Sequence, residues 1–265
     1  MSTFKGRTAL ITGASKGLGA AFARALARQG ADLVLVARSA GALEKLAARL
    51  SGEFGVKCFV LPADLAAPDA ATRIEQELDR LGVTVDLLVN NAGLGLSGRF
   101  LSHDVTAEQA SVQVNVQSLI GLSHVLGAKM VERGHGGIIN VASNAAFQSL
   151  PLMAVYAATK AFVLSFSEAL RHELAGHGVR VMASCPGPTA TNFFEGTTTT
   201  MKAAQFDTAD MVAARSLQAF EKGKAVAYPG RFSVRAATWV PRFLPRGLMV
   251  RLAGSATEGM GLAAA

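Results

Sequence analysis

Seven short apolar runs alternate with helical stretches along this chain, and no other feature constrains its fold as much. The runs are Arg7 to Thr12, Asp32 to Ala37, Val56 to Leu61, Val85 to Val89, Gly137 to Ala142, Val179 to Ser184 and Ala225 to Tyr228. Asp32-Leu-Val-Leu-Val-Ala37 shows little alternation, the pattern of a strand covered on both faces. Good helix formers lie between the runs, at Ala20 to Gln29, Ala40 to Phe54, Pro68 to Leu81, Thr106 to Arg133 and Ala154 to Leu174. Strand followed by helix from end to end predicts an α/β protein: one doubly wound, parallel, seven-stranded sheet with helices on both faces. The 265 residues, 50% of them hydrophobic, suit one large domain with a sizeable core.

In open parallel sheets ligands bind at the carboxyl ends of the strands, and the polar candidates fall there. The first run leads into Gly13-Ala-Ser-Lys-Gly17-Leu-Gly19 and then a helix. Glycines let backbone pass close to a ligand, and a helix N-terminus offers free N–H groups and partial positive charge, so a pyrophosphate suits this turn. The second run ends at Ala37-Arg38, where NAD-binding proteins carry an acid on the adenosine ribose. Arg38 could instead hold a 2′-phosphate bidentately, with Lys16 approaching the same group; a solvated loop charge is the alternative. Asp64, after the third run, could accept a bond from an adenine amino group or cap a turn. Asn90-Asn91-Ala92-Gly93, Ser143 and Cys185-Pro186-Gly187-Pro188-Thr189-Ala-Thr191 follow later runs on the same edge.

Tyr156 and Lys160 stand four residues apart in the Ala154 to Leu174 stretch, hence one turn apart on one helix face. Their neighbours are small and apolar, so this face is expected to be buried. A nearby cation favours phenolate and would pull the tyrosine pKa down from ~10 towards neutrality. Such a group can give a proton to a carbonyl oxygen and take it back. Asn115 lies between Val114 and Val116 in the middle of a helical run, a position that propensity disfavours. It must find partners, as a core bridge or as a site residue.

Composition narrows the classes further. Cys58 and Cys185 both sit in strand-like runs and read as buried free thiols in a reducing compartment. No His/Cys/Asp/Glu grouping has metal-ligand spacing, so no metal is expected. No run reaches the ~18 apolar residues of a membrane span, and neither a targeting segment nor a lipidation signal is expected. Of the net charge of +7, five arginines between Arg231 and Arg251 account for all but +2. That local basic balance has no nucleic-acid-binding motif beside it, so nucleic acid is not expected as a partner.

Taken together, T-G-A-S-K-G-L-G at Thr12 to Gly19, Asp64-Leu65, N-N-A-G at Asn90 to Gly93, Asn115, Ser143, Y-A-A-T-K at Tyr156 to Lys160 and P-G-P-T-A-T at Pro186 to Thr191 resemble the short-chain dehydrogenase/reductase family. The likeness is to its classical, single-domain Rossmann type and runs from Arg7 to about Tyr228. The flanking text looks most like the bacterial group of DltE-type oxidoreductases. The resemblance implies an NADP(H)-dependent carbonyl reductase. Tyr156 would be its general acid/base, with Lys160 lowering the tyrosine pKa and holding the nicotinamide ribose. Ser143 would hydrogen-bond the substrate oxygen, and Asn115 would hold a water in a proton relay. NADP(H) would be held by Gly13, Ser15, Lys16, Gly17, Leu18 and Gly19 in the first loop, and by Arg38, Asp64 and Leu65. Further along, Asn91, Ala92, Gly93, Tyr156, Lys160, Pro186, Gly187, Thr189 and Thr191 would complete the cofactor contacts.

The domain is expected to span residues 1–230, with a lid at about 192–206. Phe193, Phe194, Met201 and Phe206 are its apolar wall candidates, which favours an apolar ketone or acyl chain; Phe193 and Phe194 would touch substrate. Residues 231–265 form a basic and apolar extension that packs on the domain, on a second subunit or on a membrane surface. Pro241 and Pro245 prevent it from being one regular helix. The overall expectation is a cytoplasmic homodimer or homotetramer, with weak peripheral contact at the inner membrane surface through the tail. Two other readings stand beside the enzyme: a dinucleotide-binding sensor without turnover, and a membrane-surface interaction protein.

Overall fold

The computed structural model describes residues 4–191 and 200–262. Its strands are β1 (Thr8–Thr12), β2 (Asp32–Ala37), β3 (Cys58–Pro62), β4 (Leu87–Asn90), β5 (Gly136–Val141), β6 (Val179–Ser184), β7 (Thr189–Ala190), β8 (Asp207–Thr208) and β9 (Val226–Ala227). Seven of them form a sheet in the order β3-β2-β1-β4-β5-β6-β9, parallel throughout. The small parallel pair β7–β8 was not anticipated from the sequence. β3 and β4 begin two residues later than their apolar runs do, since Val56 and Val85 pack in the core ahead of the ladder.

Helices cover both faces. On one side α1 (Gly17–Arg28), α2 (Ala40–Phe54) and α7 (Ala209–Glu221) share a core with strand residues such as Ile11, Leu35 and Val89. On the other, α3 (Ala70–Leu81), α5 (Ser118–Glu132) and α6 (Ala154–Leu174) pack on Leu10, Val34, Leu88 and Ile138. Burial on both faces explains why the strands read as continuous apolar runs. Among the described residues no helix is long and apolar enough to cross a membrane.

The run from Thr106 to Arg133 is not one regular helix. It divides into α4 (Val105–Val112), a π-turn over Gln113–Gln117, and α5. The π-turn centres on Asn115, whose side chain is claimed from outside the helix. Leu94 N donates to its Oδ1 at 2.8 Å, and its Nδ2 donates to Leu94 O at 2.7 Å and to Thr159 Oγ1 at 3.0 Å. Accommodating that buried amide costs the helix its regular ladder, as π-bulges at functional sites commonly do.

A second buried amide chain ties sheet to helices. Asn90 and Asn140 face each other across β4 and β5. Asn90 Nδ2 donates to Asn140 Oδ1 (2.9 Å) and lies 3.1 Å from Ser123 Oγ, while Asn140 Nδ2 donates to Ser167 Oγ (3.0 Å). These side chains are all buried and all partnered, as polar groups inside a core must be.

The C-terminal segment continues as α8 (Phe232–Ala237), a single 3₁₀ turn at Val240–Arg242, and α9 (Arg246–Gly259). Pro241 sits within the 3₁₀ turn and Pro245 precedes α9, so the prolines divide the segment as expected.

Candidate active site

The chain passes to the opposite side of β1 after β3, so β2 and β4 flank β1 and their loops diverge. A crevice opens at that switch point. It is a cavity of about 590 Å³.

The glycine loop forms its floor. Gly13 holds φ +66°, a region that glycine occupies without strain, and a Cβ on Gly19 would stand 2.2 Å from Gly13 O. Helix α1 therefore starts tight against β1. Among the described residues no side chain caps its N-terminus, and no acid lies in its first turn, so its amides and dipole face the cavity uncompensated. Thr12 Oγ1 accepts from the amides of Asn91 and Ala92, both at 2.9 Å, and Asn91 Nδ2 donates to Thr12 O at 2.9 Å. That clamp fixes the loop after β4 against the loop after β1.

Most of the expected site residues line this one cavity: Gly13, Ser15, Lys16, Gly17, Leu18, Arg38, Asp64, Leu65, Asn91, Ala92, Gly93, Ser143, Tyr156, Lys160, Pro186, Gly187, Thr189 and Thr191. Gly19 and Asn115 stand behind the wall. Gly19 permits the close packing just described. Asn115 is 1% exposed and spends its side chain on Leu94 and Thr159, so its amide positions the loop after β4 rather than facing the cavity. Asp64 does what a turn cap does, its Oδ1 accepting from Ala66 N at 3.0 Å, while it also faces the cavity. Phe193 and Phe194 lie outside the described residues. Met201 lines the cavity, but Phe206 lies at a separate surface hollow with Asp207, Met211 and Arg231.

Tyr156 and Lys160 sit on the first turns of α6, opposite the loop after β5 that carries Ser143. Ser143 stands beside the Tyr156 hydroxyl and favours its ionised form. Lys160 Nζ donates to Val141 O at 2.8 Å and lies 5.7 Å from the centre of the Tyr156 ring. Burial dominates both groups. It raises the Tyr156 phenol above its ordinary value, against the lowering effect of Ser143, although the residue keeps some exposure along the cavity. It brings the Lys160 ammonium down to about 8. The sequence alone had the cation lowering the phenol; here desolvation of the phenolate raises it, and the opposing influence comes from Ser143 rather than from Lys160. Cys185, behind them, is pushed up to about 12 by burial and is an unreactive thiol.

The far wall is made of residues that the sequence did not single out. Leu94, Leu150 and Met153 contribute to it, and α9 closes it with Ala253, Ala256 and Thr257, followed by Met260 and Leu262. The signal was present, because positions 253, 256, 257 and 260 recur at helical spacing on one face. The end of the extension therefore lines the same cavity as the sheet edge. The aromatic residues between Phe232 and Phe243 do not line this cavity.

The crevice fits a nicotinamide dinucleotide. The open, uncapped N-terminus of α1 behind the Gly13 to Gly19 turn suits a pyrophosphate, and Arg38 beside Ala37 suits an adenosine end.

Comparison with known proteins agrees with this geometry. The short chain dehydrogenase family model matches residues 7–202. Ketoacyl reductase HetN of Nostoc sp. is 35% identical over 187 residues, 71% of this chain but only 65% of that relative. A solved short-chain dehydrogenase from Sphingobium yanoikuyae, in complex with NADPH, superposes with a TM-score of 0.78 at 34% identity, covering 92% of this chain and 94% of that one. The bulky-bulky ketone specific alcohol dehydrogenase from Comamonas testosteroni gives 0.77 at 31% identity, covering 91% and 95%. The glycine cradle, the Tyr156–Lys160 helix and the matched length together make this chain a member of the short-chain dehydrogenase/reductase family.

Proposed function

We propose that the protein is an NADP(H)-dependent oxidoreductase that interconverts a ketone or aldehyde and an alcohol, with Tyr156 as general acid/base. The observation that carries this reading is the convergence of Tyr156, Ser143 and Lys160 on one cavity with the glycine cradle. When bound, the dinucleotide supplies or accepts the hydride. Tyr156, kept protonated by its burial, donates to the carbonyl oxygen, and Ser143 holds that oxygen through its hydroxyl. Lys160, with a pKa brought down to about 8, stays mainly charged at neutral pH and steadies the phenolate that proton donation leaves. Asn115 positions the Leu94 backbone at the cavity wall.

Arg38 and Lys16 at the adenosine end favour NADP(H) over NAD(H). The far wall of Leu94, Leu150, Met153, Met201 and Met260 favours an apolar or acyl-like substrate, in keeping with the ketoacyl and bulky ketone chemistry in the names of two relatives. The text around the motifs favours the DltE-type bacterial group. A cytoplasmic homodimer or homotetramer belongs to the same reading, since α4 and α6 pack together and leave Val105, Val112 and Phe162 exposed.

The test is a panel of ketones and aldehydes with NADPH consumption as readout. Turnover of apolar members is expected. NADPH binding without turnover of any member would favour the sensor instead.

A further inference from the structure

The C-terminal segment has two faces of different chemistry. Its inner face, with Ala253, Thr257 and Met260, walls the substrate end of the cavity. Its outer face is apolar and basic. Phe232 is 80% exposed and Phe243 78%, with Trp239, Leu248 and Leu252 also exposed. Seven of the thirteen large hydrophobic side chains exposed among the described residues lie between 232 and 252, so exposed apolar side chains concentrate in this segment rather than scatter along the chain.

Among the described residues most of the charge on this segment meets no acid. The sequence has no Asp or Glu from 222 to 257. Arg231 is neutralised by Asp207 at 3.2 Å. Among the described residues Arg235, Arg242, Arg246 and Arg251 meet no carboxylate; Arg235 lies over the Tyr228 ring and Arg242 over Trp239 at 4.6 Å from its centre.

We propose that this outer face docks on an anionic lipid bilayer and that, given the carbonyl reductase reading, the bilayer delivers the apolar substrate to the wall formed by α9. Exposed aromatics among unpaired arginines match an acyl–headgroup boundary with negative surface charge. A second copy of the chain fits worse. A two-fold interface would set the same unpaired arginines against each other with no acid to meet them.

The experiment is co-sedimentation of the full chain with vesicles of phosphatidylcholine alone and of phosphatidylcholine and phosphatidylserine in equal parts, at low and high salt. Two variants accompany it: Phe232→Ser with Phe243→Ser, and Arg235, Arg242, Arg246 and Arg251 each to Gln. Binding that needs phosphatidylserine and fades with salt is expected. Each arginine near such a surface contributes roughly fivefold, so the arginine variant should lose binding more than tenfold, and the aromatic variant should lose it too. Equal partitioning onto both vesicle types, or unchanged binding by both variants, would overturn the docking. So would variants that only turn a dimer into monomers in light scattering.

NADPH binding and turnover of a short soluble ketone are read on the same proteins and should not change. Turnover of a long-chain ketone dissolved in the phosphatidylserine vesicles should fall at least tenfold in both variants. If it does not fall while vesicle binding does, delivery is wrong. If no ketone is turned over by the unmodified chain, the enzyme reading and delivery fail together, and the sedimentation result still decides the docking.

Discussion

The sheet edge and the C-terminal cap face each other across one cavity and are built by opposite means. At the edge, position is set by backbone and by buried polar side chains. Thr12 clamps two amides, Lys160 is held by Val141 O, and Asn115 is bonded in three ways. At the cap, helices interrupted by proline present small and flexible apolar side chains inward and leave much of their surface in solvent. Chemistry needs atoms fixed to fractions of an ångström, whereas recognition of an apolar group tolerates repacking. On the proposed function, the reacting groups would sit on rigid elements and selectivity would fall to an appended, adjustable wall.

Substitutions on the two sides should therefore behave differently. The largest effect is expected from Tyr156→Phe, which removes only the proton donor. Turnover should fall by roughly 100- to 10,000-fold, while NADPH affinity, read by fluorescence titration, stays the same. Retention of most of kcat would show that the edge does not hold the chemistry. Next comes Arg38→Asp, which should erase or reverse a preference for NADPH over NADH of roughly ten- to over a hundredfold, the value of one charge-assisted contact. Equal kcat/KM for both cofactors in the unmodified protein would remove that role.

A pH series gives the third effect. Lys160 is lowered to about 8, whereas an unfolded lysine keeps its proton to ~10.4. Above about pH 8 the folded protein loses this charge, and NADPH affinity should drop by about tenfold per unit. Stability moves the opposite way: the unfolded chain holds more protons across that window, so stability rises with pH there. Lys160→Met should flatten both profiles.

The smallest effects lie in the cap. Met260→Ala should raise KM for an apolar ketone about three- to tenfold through lost contact, with NADPH affinity unchanged. Phe232→Ser, on the outer face, should change unfolding free energy by less than ~0.5 kcal/mol. A large loss of stability from Phe232→Ser would mean that this face is packed after all, and the contrast between cap and edge would narrow.

How much of this was legible in the sequence depended on range. The strands and the glycine loop could be read because burial on both faces and the strand–turn–helix order are local patterns. Tyr156 and Lys160 could be read because four residues on a helix are one turn. The break at Asn115 could not, since its cause is Leu94, 21 residues away, and Thr159, 44 away. Nor could the balance of pKa effects at Tyr156, which depends on how deeply its hydroxyl lies. The far wall was less legible because Leu94, Leu150, Met153, Ala253, Ala256, Thr257, Met260 and Leu262 carry neither charge nor ring and come from distant parts of the chain.

The Asn90–Asn140 pairing has a consequence for how the sheet assembles. Both strands are otherwise apolar, and apolar runs alone leave alignment along the strand weakly specified. If β5 slid by one residue against β4, every side chain on it would exchange faces, and Asn140 would leave Asn90 and Ser167 for a core that offers it neither. Each amide stranded in that way costs about 1–3 kcal/mol. The pair therefore works as a checksum on strand alignment: a misaligned intermediate carries its own penalty at the moment it forms. Because β5 leads directly into Ser143 and accepts Lys160 through Val141, the same check bears on where Ser143 and Lys160 come to stand.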